Sequence, residues 1–443
     1  MKREKVLLVR APNIFKSAQW KKQGVLRTPT NLALLGSYIR EHGAYEPEIL
    51  DFELDDSKDL ADIAGKIVSR NARYAGFSTL TPRFPTIMRI CGELKKIDPA
   101  IKTILGGPHI SGRPQDCRYP GIDYGIVGEG EQGFLALLNN LVAGRDVSKT
   151  PNLVSRTADG EIVVNPKAQF IKDLDSLPLP AWDLLNMGEY KDPPFFGDEP
   201  HAGIFTTRGC PQNCIFCASG VTWERRLRSR SVDNVMEEIH KLADNFGTKN
   251  LYFYDDHFAA KRSRALDLCD RLASERPGTK YIVQIRADSV NEELAQSLNR
   301  SGCISAALGI ESGNEEMLRA INKRETKDEM RIAVKMLKSA GVPITTSYII
   351  GLPGDTHETI KETLDFAREL NTEQMKFMLL TPVPGTDVYR MAVERGLLDP
   401  ENLEQMEKTT FYDATAVNLS AVSTEDLLRY QDIAYRELDR KGV

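Results

Sequence analysis

The sequence predicts an α/β chain built from two consecutive parallel-sheet units. One is a doubly wound open sheet over residues 1–140, and the other an open six-unit βα barrel over residues 201–385. Three observations carry this. Short apolar runs alternate with helical patterns through both stretches, and parallel strands need such crossovers. Residues 141–200 between them switch to a hairpin signal and a proline-rich linker. Glycines and polar residues collect where the predicted strands end, which is where ligands of such sheets sit.

At 443 residues the chain has room for two or three domains. A net charge of −5 without any block of like charge gives no argument for nucleic acid. No apolar run approaches the roughly 20 residues that span a bilayer. Met1-Lys2-Arg3-Glu4 leads into a strand rather than a signal peptide. Seven cysteines, three of them clustered, do not read as a secreted disulfide framework. The expectation is a cytoplasmic protein with no membrane span.

In the first unit, strands are predicted over 5–9, 48–52, 74–78, 102–105 and 124–127, with a helix over 32–42 closed by Gly43. The strand ends present Ala11-Pro12-Asn13, Ser78-Thr79-Leu80-Thr81-Pro82-Arg83, Gly106-Gly107-Pro108-His109-Ile110 and Gly128-Glu129-Gly130. Glycine there lets a flat ligand approach the backbone. No GxGxxG follows the first strand, which argues against a dinucleotide. Next, Ala158-Asp159-Gly160 turns a hairpin over 152–164. The prolines around Leu179 and Pro193 stiffen a linker that fixes one unit against the other, with Trp182 packed at the interface.

The second unit opens with a strand over 203–205 and Cys210-Pro211-Gln212-Asn213-Cys214-Ile215-Phe216-Cys217. Three thiolates at CxxxCxxC spacing leave one iron of a [4Fe–4S] cluster open, where an electron carrier takes four. Zinc wants four ligands, and His201, the nearest candidate, lies upstream of the intervening strand. Five more strands follow over 250–254, 280–285, 304–308, 344–349 and 375–379. Six βα units fall short of the eight of a closed barrel. Their carboxyl ends carry Tyr254-Asp255-Asp256, Arg286 and Asp288, Gly309-Ile310-Glu311, Ile349-Ile350-Gly351 and Thr381 to Gly385. Cys91, Cys269 and Cys303 read as buried small hydrophobes, and Cys117 as a loop cysteine without a metal partner. The tail, 386–443, is predicted helical over 387–395, irregular around Phe411, and helical over 424–440 behind the cap residue Ser423.

The cysteine loop, with Phe216 before its last cysteine, resembles the signature of the radical S-adenosylmethionine (SAM) enzymes. LGGPHIS (105–111) and GIVGEGE (125–131) resemble the cobalamin-binding domain that precedes the radical domain in the cobalamin-dependent members. The resemblance implies a flavodoxin- or Rossmann-like cobalamin domain followed by a partial (β/α)6 TIM-barrel radical SAM domain. It implies a [4Fe–4S] cluster on Cys210, Cys214 and Cys217 and SAM on the fourth iron. Asp255 is then expected at the SAM amino group, Arg286 at its carboxylate and Glu311 at its ribose or sulfonium side. Phe216 and the backbone of Ile349 and Gly351 are expected at the adenine, with Tyr254 and Tyr348 shaping the pocket.

Cobalamin is expected against Asn13, Thr79, Gly106, Gly107, His109, Gly128, Glu129 and Gly130. Other cobalamin proteins carry Asp-x-His-x-x-Gly where this chain has Thr79-Leu80-Thr81-Pro82-Arg83. Base-off cobalamin with no histidine on cobalt is therefore expected, over Leu80, Thr81 or Arg83. The two N-terminal cysteines, Cys91 and Cys117, are too few for the second cluster of a methylthiotransferase.

The resemblance implies methylation of an unactivated sp3 carbon through a 5′-deoxyadenosyl radical and methylcobalamin, with a ferredoxin- or flavodoxin-type electron donor. The short tail favours a polypeptide substrate, as in the family's glutamine C-methyltransferases, over a small molecule or lipid. A cyclase or coupling enzyme that uses cobalamin only as electron acceptor shares every motif. A non-catalytic cobalamin or redox sensor has no need of Arg286 and Glu311 together.

Overall fold

The computed structural model describes residues 3–12, 26–55, 57, 59–408 and 417–438. Asn13 and the stretch around Phe411 lie outside the described residues. Strand β1 (Glu4–Arg10) is the apolar centre of the first sheet, with Val6, Leu7, Leu8 and Val9 all fully buried. A continuous apolar run of this kind is what a parallel strand covered on both faces requires. Helix α1 (Thr30–His42) crosses to β2 (Tyr45–Asp51), and α2 (Leu60–Val68) to β3 (Tyr74–Ser78). Helix α3 (Phe84–Ile97), β4 (Lys102–Gly106), the short α4 (Pro108–Gly112), β5 (Tyr124–Ile126) and α5 (Gly130–Val142) complete the unit. Leu7 and Val9 face α2 and α3, whereas Val6 and Leu8 face α1 and α5. The parallel order is β2-β1-β3-β4-β5, so the switch point lies between β1 and β3.

The predicted hairpin forms as β6 (Leu153–Arg156) and β7 (Ile162–Val164), but its place differs from the linker position expected. It pairs antiparallel with β5 through Gly125–Val154 and extends the first sheet to seven strands. Alternation and a turn define a hairpin locally; which edge it joins depends on contacts distant in sequence.

The second sheet begins with β8 (Lys191–Asp192), a turn of helix α6 (Pro193–Phe196) and β9 (Gly197–Ile204). Its first half pairs antiparallel with β8, which is why β9 starts earlier than the apolar run predicts. The cluster loop leaves through β10 (Thr207–Arg208), carries α7 (Ser219–Trp223), and returns through β11 (Arg228–Ser229). Then come α8 (Val232–Phe246), β12 (Asn250–Phe253), α9 (Arg262–Glu275), β13 (Lys280–Ile285), α10 (Glu292–Arg300) and β14 (Cys303–Glu311). The unpredicted α11 (Glu315–Ala320) precedes α12 (Lys327–Ser339), β15 (Ile344–Ile350), α13 (His357–Leu370) and β16 (Gln374–Leu379). The order β9-β12-β13-β14-β15-β16 gives the six parallel strands expected, with β8 the antiparallel edge.

Among the described residues three helices follow β16: α14 (Asp387–Glu394), α15 (Leu403–Lys408) and α16 (Thr424–Glu437). Tyr348 belongs to the core between β15 and this outer helix, not to the pocket expected of it. It is fully buried and stacks on Phe377, whose ring meets Tyr435 of α16. Strand alternation explains the correction, since Tyr348 points opposite to Ile349.

The two units interlock. Thr28 Oγ1 accepts from Gly203 N (2.8 Å), and Thr30 Oγ1 donates to Gly203 O (2.6 Å). Ala181 N donates to Ala33 O (3.0 Å), and Trp182 is buried in the barrel's core cluster as expected. Arg40 forks onto Asp183, and Tyr190 donates to Asp51.

Candidate active site

The cluster loop is anchored at its base from both sides. On the barrel side, Asp255 at the end of β12 is fully buried; Thr206 N (2.7 Å) and Thr207 N (2.8 Å) donate to Oδ1, and the Thr206 hydroxyl to Oδ2. Asp255 thus holds the loop's first residues, where the sequence reading gave it a ligand's amino group. Its exposed neighbour Asp256 accepts from Ser219 Oγ of α7 (2.6 Å). Three backbone and hydroxyl donors reach Asp255 because β9 ends at Ile204, two residues before Thr206, beside β12. Tyr254 packs its ring against Gly203 and is half-buried at the barrel mouth, with its hydroxyl 3.5 Å from Thr28 Oγ1.

On the first-unit side, Arg208 sits two residues before Cys210. Its Nη1 and Nη2 donate to Glu129 Oε1 and Glu131 Oε1, each at 2.6 Å. Arg228, across the β10–β11 ladder, donates to Glu129 Oε1 (2.7 Å) and Ile171 O (2.8 Å). Glu129 Oε2 accepts from Ile171 N (3.0 Å). Glu129, expected at cobalamin, thus has both carboxylate oxygens engaged, Oε1 with the cluster loop and Oε2 with Ile171. Burial alone would raise the Glu131 carboxyl, but Arg208 outweighs it and lowers it.

At the far ends of β13 and β14 a buried charge network forms beside Cys214. Arg286 pairs with Asp288 (2.8 Å) and with Glu325 (3.3 Å), and donates to Lys323 O (3.1 Å). Lys323 Nζ lies 3.1 Å from Glu325 and 3.3 Å from Glu311. Glu311 follows a shift in the β14–β15 register and adopts φ 66°. A Cβ at Gly309 would lie 2.3 Å from Glu311 Oε1, so glycine there makes the room. Burial lifts the Glu311 carboxyl although Lys323 opposes it, and the two carboxylates outweigh burial to raise Lys323. The sequence reading reached Arg286 and Glu311 but missed Lys323 and Glu325. Both belong to the link between α11 and α12, where Asn322 and Arg324 have φ 56° and turn the intervening side chains inward. Nothing but the run Asn322-Lys323-Arg324-Glu325 hinted at it, and such a run usually reads as a solvated turn.

Phe216 and Ile349, both expected at the adenine, are packed together with Leu352, Leu380 and Val388 of α14. Gly351 has φ 88° and lies under Leu427 of α16.

The loops of the first sheet are tied to one another. Thr79 N donates to Gly106 O (2.8 Å), and Ser111 Oγ accepts from Gly128 N and donates to Gly107 O (both 2.9 Å). Gly107 has φ 101°, and a Cβ there would lie 2.9 Å from Thr79 O. His109 is fully buried, its Nδ1 3.1 Å from Thr81 Oγ1 and its Nε2 3.0 Å from Asp116 Oδ2. Burial lowers its pKa against the pull of Asp116. Arg83 pairs with Glu53 (2.7 Å). Of the three residues expected beneath a corrin, Thr81 and Arg83 are thus engaged inside the protein, and only Leu80, 45% exposed, presents its side chain. These loops meet the barrel directly, since a Cβ at Gly112 of α4 would lie 2.1 Å from Pro384 O.

Residues 204–367 match the Radical SAM superfamily and residues 24–138 the B12 binding domain. An uncharacterized methyltransferase, PH0819, of Pyrococcus horikoshii is 32% identical over 402 residues, which cover 90% of this chain and 85% of that protein. The chain belongs to the cobalamin-dependent radical SAM enzymes. It is an enzyme of the methyltransferase type.

Two further relatives of this radical SAM chain carry assigned activities. The anaerobic magnesium-protoporphyrin IX monomethyl ester cyclase of Rubrivivax gelatinosus is 28% identical, covering 82% of this chain and 66% of that one. Cytidylyl-2-hydroxyethylphosphonate methyltransferase of Streptomyces wedmorensis is 25% identical, covering 71% and 65%. The chain spans about two thirds of each of these two relatives. Among solved structures, the radical SAM methyltransferase TsrM of Kitasatospora setae, with cobalamin and [4Fe-4S] cluster bound, shares the fold at TM-score 0.72 and 20% identity, over 89% of this chain and 75% of that one. OxsB, with aqua-cobalamin and SAM bound, does so at 0.70 and 18%, over 98% and 61%.

The cofactors of this radical SAM enzyme are a [4Fe–4S] cluster, SAM and cobalamin. The residues present fit them. Cys210 and Cys214 are half-buried and Cys217 is exposed, whereas Cys91, Cys117, Cys269 and Cys303 are buried and closed to an inorganic core. Burial raises the Cys210 and Cys214 thiols, and iron is what would hold them as thiolates. The fit is one of donor chemistry and exposure, since among the described residues no three ligating side chains stand gathered as a metal-holding group. On the corrin side, a Cβ at Gly106 would meet only Ile126 O, at 3.8 Å, and Leu80 is exposed. Among the described residues no helix is long and apolar enough to cross a membrane.

Proposed function

We propose that the protein methylates an unactivated sp3 carbon held between the two sets of loops. The observation that supports this is the meeting of the carboxyl-end loops of both sheets, Gly112 against Pro384 and Glu129 against Arg208. When bound, the cluster and SAM supply a 5′-deoxyadenosyl radical that abstracts hydrogen, and cobalamin supplies the methyl group. Cys210, Cys214 and Cys217 hold the cluster. Arg286, Lys323 and Glu311 orient the charged ends of SAM, with Asp255 keeping the loop beside them in place. Phe216, Ile349 and Gly351 flank the adenine. Leu80 would lie against the corrin, and the hydrogen bonds of His109 to Thr81 and Asp116 support a cobalamin held without a histidine ligand. Tyr254 shapes the substrate side. The electron comes from a ferredoxin- or flavodoxin-type donor in a cytoplasmic, low-oxygen setting.

A polypeptide substrate is the first choice of this reading; α16 packs on β15 and β16, while α14 lies against Ile215 and Phe216 of the cluster loop. A small molecule is the second reading, favoured by the relatives named for a porphyrin ester and a cytidylyl phosphonate. The cyclase relative also keeps open a reaction without methyl transfer.

The test is anaerobically reconstituted protein given cobalamin, reductant and SAM with a labelled methyl group, screened first with peptides and then with small molecules. Label on cobalamin, with S-adenosylhomocysteine formed, supports the methylase. Deoxyadenosine alone, with cobalamin bound but never methylated, replaces it with the cyclase or coupling reading.

A further inference from the structure

Between the two cofactor-bearing loops stands a cluster of charge that neither cofactor explains. Arg208 is 7% exposed, and Glu129 and Glu131 are equally enclosed. Trp223 covers both guanidinium groups, 5.4 Å from that of Arg208 and 5.6 Å from that of Arg228, and Phe170 lies 4.7 Å from Arg228. Two carboxylates and two guanidinium groups thus neutralise one another out of water. Glu129 stands between Gly128 and Gly130 in a loop of the corrin side, and Arg208 stands one residue from Gly209 and two from Cys210. Gly209 has φ 88°, and a Cβ on it would lie 2.3 Å from Arg226 O. The backbone between clamp and first cluster thiol is therefore tightly constrained, and a shift of Glu129 is passed to Cys210 with little slack.

We propose that Glu129 and Glu131, acting through Arg208, are positioning residues that set the distance and orientation of the cluster relative to the corrin. Simple adhesion between the units is supplied elsewhere, by Thr28 and Thr30 on Gly203, Arg40 on Asp183 and Tyr190 on Asp51. Those contacts use none of the clamp's residues, so the clamp can be altered without separating the units. Its specific consequence is coupling: a radical formed off its mark still yields deoxyadenosine but meets the methyl donor less often. A misplacement of about 1 Å can cost on the order of a hundredfold in such a step.

The experiment compares wild type with Glu129→Gln, Glu131→Gln and Arg208→Lys in the full chain, reconstituted with cluster and hydroxocobalamin. Asp183→Ala serves as the interface control. The first readout is the relaxation enhancement of the cob(II)alamin electron paramagnetic resonance signal by the reduced cluster, which reports their separation in the loaded fraction. The second is the ratio of S-adenosylhomocysteine to deoxyadenosine. The expected result is altered relaxation enhancement and a ratio changed by about tenfold or more in the clamp variants, with neither changed in Asp183→Ala. Unchanged values of both in the loaded fraction, whatever that fraction's size, would overturn the proposal. If Glu129→Gln fails to fold, Arg208→Lys, which keeps the charge and loses the fork, decides it. Only the second readout rests on the methyl-transfer reading. Wild-type protein that never forms S-adenosylhomocysteine defeats that reading while the resonance measurement still tests the clamp.

Discussion

Lys323 Nζ stands 3.3 Å from Glu311 Oε1, on a side chain 7% exposed, and makes a second ion pair with Glu325 at 3.1 Å. One cation thus serves two carboxylates at the mouth of the barrel, beside Cys214. Lys323→Met leaves both acids buried without it, with only Arg286 still beside Glu325. Removing one partner of a buried pair destabilises by about 3–5 kcal/mol. Denaturant unfolding should register that loss, and SAM-induced change in the cluster's resonance signal should need more SAM. Lys323→Arg should recover part of the stability. A Met variant as stable as wild type would show the pairing to be unimportant to the fold.

Gly203 and Tyr254 separate packing from function. A Cβ at Gly203 would fall 1.9 Å from the Tyr254 ring. Gly203→Ala must displace that ring, and overpacking of this kind costs about 1–3 kcal/mol. Tyr254→Phe removes only a hydroxyl whose contact with Thr28 is 3.5 Å long, so its melting temperature should stay near that of wild type while turnover falls. Turnover left untouched by Tyr254→Phe would end the pocket role proposed for it.

The sequence made the fold legible because strand periodicity and glycine placement are local signals. All six barrel strands and the five parallel strands before them exist in the predicted order, with β9 beginning at Gly197 and not at 203 because its first half pairs with β8. The residues missed share a different trait. Lys323 and Glu325 occupy a short link whose left-handed residues turn them inward, and no periodicity reports such a turn. Glu129 was read as a ligand residue because it lies in a glycine loop, yet its partner Arg208 is 79 residues away. Tyr348, expected with Tyr254 at the pocket because both lie near a strand's carboxyl end, points instead to the face that stacks on Phe377.

His109 illustrates a negative expectation with a direct readout. Thr81 and Asp116 take its two ring nitrogens, and Phe84 stacks on the ring at 4.4 Å. In cobalamin-loaded protein the cob(II)alamin resonance should show no superhyperfine splitting from an axial histidine nitrogen, and His109→Asn should leave the spectrum as it is. That variant should instead lose about 1–3 kcal/mol of stability, as Asp116 and Thr81 lose well-placed partners. A nitrogen splitting abolished by His109→Asn would mean that the ring leaves Thr81 or Asp116 to reach cobalt.

Asp355 makes stability depend on pH near the SAM side of the barrel. Its Oδ2 accepts from Gly351 N (3.1 Å) and Leu352 N (2.9 Å), and its Oδ1 from Thr359 Oγ1 (2.8 Å). Burial lifts the carboxyl from 3.8 to about 6 in spite of these donors. The folded chain therefore holds the proton more tightly than the unfolded chain does. The linked stability is complete below the unfolded value of 3.8 and is lost as pH rises through about 6. A shift of that size corresponds to about 3 kcal/mol. In Asp355→Asn, the amide oxygen can still accept from Gly351 and Leu352 and the amide nitrogen can donate to Thr359, so the turn survives and the titration disappears. Calorimetry of both proteins at acid and alkaline pH should find the variant gaining on wild type as pH rises. The gain should centre on the interval between 3.8 and about 6. A constant difference across that range would show that Asp355 keeps one protonation state, and that the Gly351 turn beneath Leu427 is held by geometry alone.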